Sequence, residues 1–303
     1  MLAQQIFDDA WNDCLKSAPP ARFSKGIKKI PYADLIGAIE ARDERFIREF
    51  VQSFYSGHVY VFTNAFEPQD LEKLKRAAFE WGRTKPSEEP QIVARVGDYR
   101  SRRDWHAEDH GFGYSSTYDM FHFFRWNDDP IGIFKLFDPK YRVLRIVNGF
   151  DPDAVKDNGP DDAIIDRAEI SHYPRGVGGI AFHEDPIVAT RFAFTVNLNR
   201  FGLDYNAGGF GVGVGDGKVL PVDPTIEVGS LTGFLPSVCH GVEIIDPGFA
   251  PTWDAVEGRW YAAITMINPH KKKDRRVTTP IEGYPTLREQ IKAAKEKRNA
   301  SVA

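Results

Sequence analysis

Apolar residues at near-helical spacing dominate the first part of the chain. Between Tyr32 and Phe54 they fall at Leu35, Ile36, Ile39, Phe46, Ile47, Phe50, Val51 and Phe54, and residues 1–55 as a whole read as helical. Gly57 ends this stretch, and His58-Val-Tyr-Val-Phe62 reads as a short buried strand. A further helix is expected from Pro68 to Trp81. Leu71, Leu74, Ala78 and Trp81 share one of its faces, and proline stands at its start, where the missing N–H has no helical partner to lose.

Further along the period changes to two. In Arg191–Asn199, Phe192, Phe194, Val196 and Leu198 alternate with Arg191, Ala193, Thr195, Asn197 and Asn199. If helices cover this strand, its apolar side meets them and Thr195 and Asn197 line an interior cavity; if it is uncovered, the polar side meets solvent. Arg191 then either binds a substrate carboxylate or pairs structurally. A second alternating run opens at Arg259. Arg259, Tyr261, Ala263 and Thr265 share one face, which resembles a cavity lining, and Trp260, Ala262, Ile264 and Met266 share a core-like face.

Four residues placed on such segments carry the candidate chemistry: His183, Asp185, His240 and Arg259. On an extended segment residues i and i+2 project together, so His183 and Asp185 reach one ion while Glu184 points away. Pro186 biases Asp185 away from helical geometry. His240 is too distant for a local loop and suits a strand returning to the same cavity. Two histidines and a carboxylate make the facial triad of non-haem Fe(II), with positions left open. An arginine fork nearby suits the far carboxylate of a chelating keto acid. Catalytic zinc accepts the same donors, but His-Glu-x-x-His is missing and Arg259 has no task in a zinc hydrolase.

The text around these positions resembles the Fe(II)/2-oxoglutarate-dependent dioxygenases, in particular their prolyl-hydroxylase-like branch. It runs Ser171-His-Tyr-Pro-Arg-Gly-Val-Gly-Gly-Ile-Ala-Phe-His-Glu-Asp185, then Gly208-Gly209, Val228-Gly-Ser-Leu-Thr-Gly-Phe234, His240-Gly-Val-Glu-Ile-Ile and Gly258-Arg259. The resemblance implies an α+β protein with a mainly β core: a double-stranded β-helix, or jelly-roll barrel, flanked by N- and C-terminal helices. It implies that His183, Asp185 and His240 hold iron and that Arg259 binds the 5-carboxylate of 2-oxoglutarate. Tyr173 resembles a strand tyrosine that contacts the co-substrate; Thr195 and Asn197 come from the alternation alone, as second-tier cofactor or substrate contacts if their face is interior. The implied cofactors are Fe(II), with 2-oxoglutarate and O2 as co-substrates. The implied reaction oxidises an unactivated C–H bond by hydroxylation, cyclisation or desaturation, with succinate and CO2 as co-products.

Substrate selection is expected in residues 97–127. Arg102, Arg103, His110, His122 and Arg125 there alternate with Trp105, Phe112, Tyr114, Tyr118 and Phe121–Trp126, a mixture suited to a partly apolar small molecule carrying a carboxylate. The competing reading is a charged surface loop followed by a core stripe. Arg191 is the remaining substrate candidate.

Composition narrows the class without changing this picture. With 303 residues, 42% of them hydrophobic, the chain supports one large or two modest domains, and we expect a single catalytic one. We expect helical support over 1–96, a substrate lid over 97–127, the jelly-roll core over 140–270, and a tail and helix over 271–303. A net charge of −4 gives no general attraction to nucleic acid or anionic membrane, and no apolar run reaches membrane-spanning length. Cys14 and Cys239 are too few for a disulfide scaffold. Together with an N-terminus lacking a signal-peptide pattern, they point to the cytoplasm. The expected partner is a small, amino-acid-derived molecule; a peptidyl hydroxylase and a non-catalytic jelly-roll binding protein are the alternatives. No motif specifies the substrate or an oligomeric state.

Overall fold

The computed structural model describes residues 1–88, 96–104, 115–153, 159, 164–187, 190–267 and 279–300. In chain order the elements are α1 (Ala3–Ser17), β1 (Gly26–Pro31), α2 (Tyr32–Ala41), α3 (Glu44–Tyr55), β2 (His58–Thr63), α4 (Pro68–Arg83), β3 (Tyr99–Arg103), β4 (Ser116–Phe124) and α5 (Ile133–Val147). There follow β5 (Ile165–Pro174), β6 (Gly179–Glu184), β7 (Ala193–Asn197), β8 (Gly209–Gly215), β9 (Lys218–Pro221), β10 (Leu231–Phe234), β11 (His240–Glu243), β12 (Gly258–Ile267), β13 (Thr279–Pro280) and α6 (Leu287–Ala300).

Two sheets face each other. The larger has the order β1-β2-β10-β7-β12-β5-β4-β3, and the smaller runs β4-β6-β11-β8-β9, with β13 beside the end of β6. Because β4 pairs with β5 over Asp119–Phe124 and with β6 at Ser116 and Thr117, it joins the two sheets at one corner. Apart from the β8–β9 hairpin, strands β5 to β12 alternate between the sheets in the order of a double-stranded β-helix. The fold class read from the sequence is the one observed.

Helices cover the outer face of the large sheet, and aromatic side chains make the seal. Phe50 and Phe54 of α3 pack on Tyr60 of β2 and on Phe192, with ring centroids 4.7–6.3 Å apart. Trp11 of α1 meets Phe54 edge-on. Each such ring taken wholly from water contributes about 1.5–3 kcal/mol. Phe192, Phe194 and Val196 therefore face helices and β2, which leaves Ala193, Thr195 and Asn197 on the inner face. Asn197 is only 3% exposed, so the solvent-facing alternative for this strand does not hold. On β12, Trp260 stacks on His172 and Phe121 and meets Phe79 of α4, all on the outer face.

Two expectations need correction. Residues 1–55 are not continuously helical. Gly26–Pro31 is a strand parallel to β2, and the run from Tyr32 is two helices parted at Arg42 (φ 55°) and Asp43, whose carboxylate caps α3 by accepting from the Phe46 N–H. A continuous apolar rhythm hid the break because α2 and α3 bury the same kind of stripe. Within 97–127, β3 and β4 replace the expected loop at both ends by adding an antiparallel pair to the large sheet; residues 105–114 lie outside the described residues. No described helix is long and apolar enough to cross a membrane.

Candidate metal centre

His183 and His240 stand directly opposite each other on neighbouring antiparallel strands, β6 and β11, with ring centroids 4.2 Å apart. Asp185 lies one residue past β6, where its backbone N–H donates to the Pro236 carbonyl and stops the strand turning away. Its Oδ2 is 3.6 Å from His240 Nε2 and 3.9 Å from His183 Nε2. These separations are too long for hydrogen bonds. They leave room for an ion between the three groups. Among the described residues this is the one cluster of histidine, cysteine or carboxylate groups whose ligand atoms converge, all within 4.8 Å.

The unused ring nitrogens explain how the cluster is aimed. His183 Nδ1 lies 2.7 Å from the Ala181 carbonyl, and His240 Nδ1 lies 2.8 Å from the Val238 carbonyl. A carbonyl only accepts, so both rings carry their proton on Nδ1 and turn the Nε2 lone pair towards Asp185. Burial, reinforced by His240, pushes the His183 pKa down to about 4, against the pull of Asp185. A neutral ring is the form that binds metal.

Behind the cluster, the stretch around Arg22 acts as a brace. Cys239 N–H donates to the Arg22 carbonyl, Ser237 Oγ to the Ala21 carbonyl, and Ser24 N–H to the Gly213 carbonyl. Glu184 does point away from the ion site, into a 2.7 Å pair with Arg22. Cys239 is buried with Phe182 and Tyr284, on the opposite side of β11 from His240.

Arg259 enters β12 opposite Tyr173 and is 4% exposed. Its guanidinium lies 5.2 Å from the Tyr261 ring, 5.7 Å from Tyr173 and 5.9 Å from Phe210. From Phe210 a run of ring contacts leads through Phe234 (5.1 Å) to His240 (4.7 Å). The arginine and the triad thus share one interior, with aromatic packing between them.

Arg259 is not alone there. Its Nε and Nη2 donate to Asp223 at 2.5 and 3.0 Å, a two-pronged pair that sequence reasoning missed. Asp223 Oδ2 also accepts from Tyr205 Oη at 2.5 Å and from the Phe210 N–H at 2.7 Å, and the residue is wholly buried. Burial works against the Arg259 cation, but Asp223 and then Tyr205 outweigh it and raise its pKa above the ordinary arginine value. The Gly208-Gly209 pair now has a physical explanation. A Cβ on Gly209 (φ 106°) would collide with Asp223 Oδ2, and one on Gly208 (φ 76°) would collide with the Ile244 carbonyl.

The remaining sequence candidates divide between the two faces of the large sheet. Tyr173 is buried on the inner face, stacked 5.9 Å from Tyr261. Thr195 pairs across to Ala263 and Thr232, and Asn197 pairs to Tyr261, with Asn197 Nδ2 buried and without a hydrogen-bond partner among the described residues. Arg103, over the Tyr118 ring, and His122, 2.9 Å from Glu169, share that inner face.

Arg102, Arg125 and Arg191 do not. Arg102 pairs with Asp119 beside Trp253, Arg125 with Asp166 and Asp138, and Arg191 with Asp8 and Asn12 of α1. All three lie on the helix-covered side, away from the triad: strand alternation puts Arg102 and Arg125 out of phase with the inner face, whereas Arg191, in phase with Ala193 and Thr195, precedes β7 and turns outward to α1. They do not join the triad's interior, and for Arg191 the structural pairing is the alternative observed. His110 lies outside the described residues.

No family model and no curated protein matches the sequence. Solved structures to which the chain is similar include a full-length Neurospora crassa protein in complex with alpha-KG. That comparison gives 12% identity and a TM-score of 0.48, over 92% of this chain and 99% of that one. A Pseudomonas putida prolyl-4-hydroxylase matches at 12% identity and TM-score 0.42, over 69% of this chain and 90% of that one. An oxidoreductase of the 2OG-Fe(II) oxygenase family from Burkholderia pseudomallei matches at 13% identity and TM-score 0.41, over 84% of this chain and 99% of that one.

Proposed function

We propose that this protein is an Fe(II)- and 2-oxoglutarate-dependent oxygenase that oxidises an unactivated C–H bond of a small molecule. The observation that carries the reading is the convergence of two Nε2 atoms and one carboxylate, each histidine locked by a carbonyl at Nδ1. Two imidazoles and one carboxylate fit Fe(II) and leave positions for other ligands. When bound, iron with 2-oxoglutarate and O2 supplies the oxidising chemistry, with succinate and CO2 as co-products.

The protein's own part is positional. His183, His240 and Asp185 would hold the metal. Arg259, set back along the interior between Tyr173 and Tyr261, would orient the co-substrate by its distal carboxylate. Tyr173, Thr195 and Asn197 line the same wall and would contact either the co-substrate or the substrate. Arg103 and His122, carried there by β3 and β4, are the substrate contacts we favour. The mixture of Arg103 and His122 with the rings of Tyr118, Tyr173 and Tyr261 suits a small, partly apolar acid, which we propose over a peptide. Two unpaired cysteines suit a reducing compartment, and we propose the cytoplasm.

The reading is tested by release of labelled CO2 from 1-carbon-labelled 2-oxoglutarate with Fe(II) and ascorbate, across a panel of small carboxylic acids. Stimulation by a panel member, absent in His183→Ala, supports it. Hydrolytic activity with bound zinc and no decarboxylation would replace it with a zinc hydrolase.

A further inference from the structure

Resting on the oxygenase reading, we infer that Asp223 is a resident counter-ion for Arg259 that weakens the barrel's hold on 2-oxoglutarate and fixes which edge of the guanidinium meets it. A guanidinium can grip a carboxylate through its Nε–Nη edge or through its two terminal nitrogens. Asp223 takes the Nε–Nη2 edge, so an incoming carboxylate meets the Nη1 end.

Asp223 is built to stay. It is wholly buried, its Oδ2 is held by Tyr205 Oη and the Phe210 N–H as well as by Arg259, and Gly209 leaves just the space it needs. It therefore remains in place when an anion arrives. A second carboxylate then binds a neutral ion pair in place of a bare cation and feels the first as a like charge. The orientation of Arg259 has independent support, since the rings of Tyr261, Tyr173 and Phe210 surround it. Removing the Asp223 charge thus leaves a buried cation in roughly the same place but without its partner. A keto dicarboxylate supplies that partner. Asparagine keeps an acceptor for Tyr205 and Phe210, so Asp223→Asn removes the charge and, with it, the acceptor for Arg259 Nη2, which the amide NH2 cannot replace.

The experiment is anaerobic titration of 2-oxoglutarate into the Mn(II)-loaded protein by calorimetry, with melting temperature followed in parallel. Asp223→Asn is expected to bind at least tenfold more tightly than the wild type, and its melting temperature should rise more on ligand addition. Binding by the variant alone supports the inference equally. Wild-type binding with an unchanged or weaker Asp223→Asn overturns the inference and leaves the oxygenase reading standing. No binding by either protein overturns both. If Asp223→Asn is too unstable to titrate, 2-oxoglutarate present during refolding from urea should recover it, because the ligand then supplies the missing charge. Failure to recover it overturns the inference.

Discussion

His183 and His240 present Nε2 to Asp185 because Ala181 and Val238 hold their Nδ1 atoms. Removing Asp185 should therefore leave two aimed rings and no third donor. In Asp185→Ala, metal affinity should fall by at least roughly 10–100-fold, the loss found even for outer partners of a metal site. Turnover should vanish while the urea midpoint barely moves, since the side chain is half exposed. Arg259→Ala should raise the 2-oxoglutarate dissociation constant by an amount equivalent to about 2–5 kcal/mol. It should also destabilise the fold by about 3–5 kcal/mol, because Asp223 is left buried and unpaired. Loss of stability with unchanged keto-acid binding would make Arg259 structural and pass the grip to Arg103. The triad was legible in the sequence because i, i+2 spacing on a strand fixes its geometry. Asp223 was not, because it sits in a proline-flanked turn with no periodicity, and only the fold carries it to Arg259.

Among the elements, β12 was the most legible. Its strict alternation separated Arg259 and Tyr261 from Trp260 and Ile264, and the structure places these sets on opposite faces. Strands β1 and β3 were hidden for a shared reason. Gly26–Pro31 and Tyr99–Arg103 are sheet-edge strands loaded with lysine or arginine, so charge masks their pattern. The turn into β8 is tightly constrained, with Gly208 and Gly209 both at positive φ against neighbouring atoms. Gly209→Ala would force a Cβ into the left-handed region and against Asp223, and should cost about 1–3 kcal/mol in backbone strain alone. Urea denaturation measures this directly; a midpoint equal to the wild type would mean that Asp223 is not held as described.

The molecule as a whole encloses a neutral histidine that makes it sensitive to acid. His172 is buried between strand and helix layers, stacked 4.4 Å from Trp260, and burial lowers its pKa from 6.5 to about 4, against the bond to the Glu257 carbonyl. The unfolded chain binds this proton first. The stabilisation is therefore fully present above pH 6.5 and is lost as pH falls towards 4, about 3 kcal/mol in all. In metal-free protein His183 adds a similar slope, so the comparison that isolates His172 is wild type against His172→Phe at about pH 7.5 and about pH 4.5, on either side of most of that window. The variant should lose less stability between the two; equal losses would show that His172 is protonated inside the fold.

Oxygenase chemistry in this barrel requires its interior to hold metal and keto acid together. Anaerobic addition of Fe(II) and then 2-oxoglutarate, followed by visible absorption, tests that directly. A charge-transfer band should appear with both present, and should be lost in His183→Ala and shifted to higher 2-oxoglutarate concentration in Arg259→Ala. Folded protein that binds iron yet shows no band at any 2-oxoglutarate concentration would contradict the account.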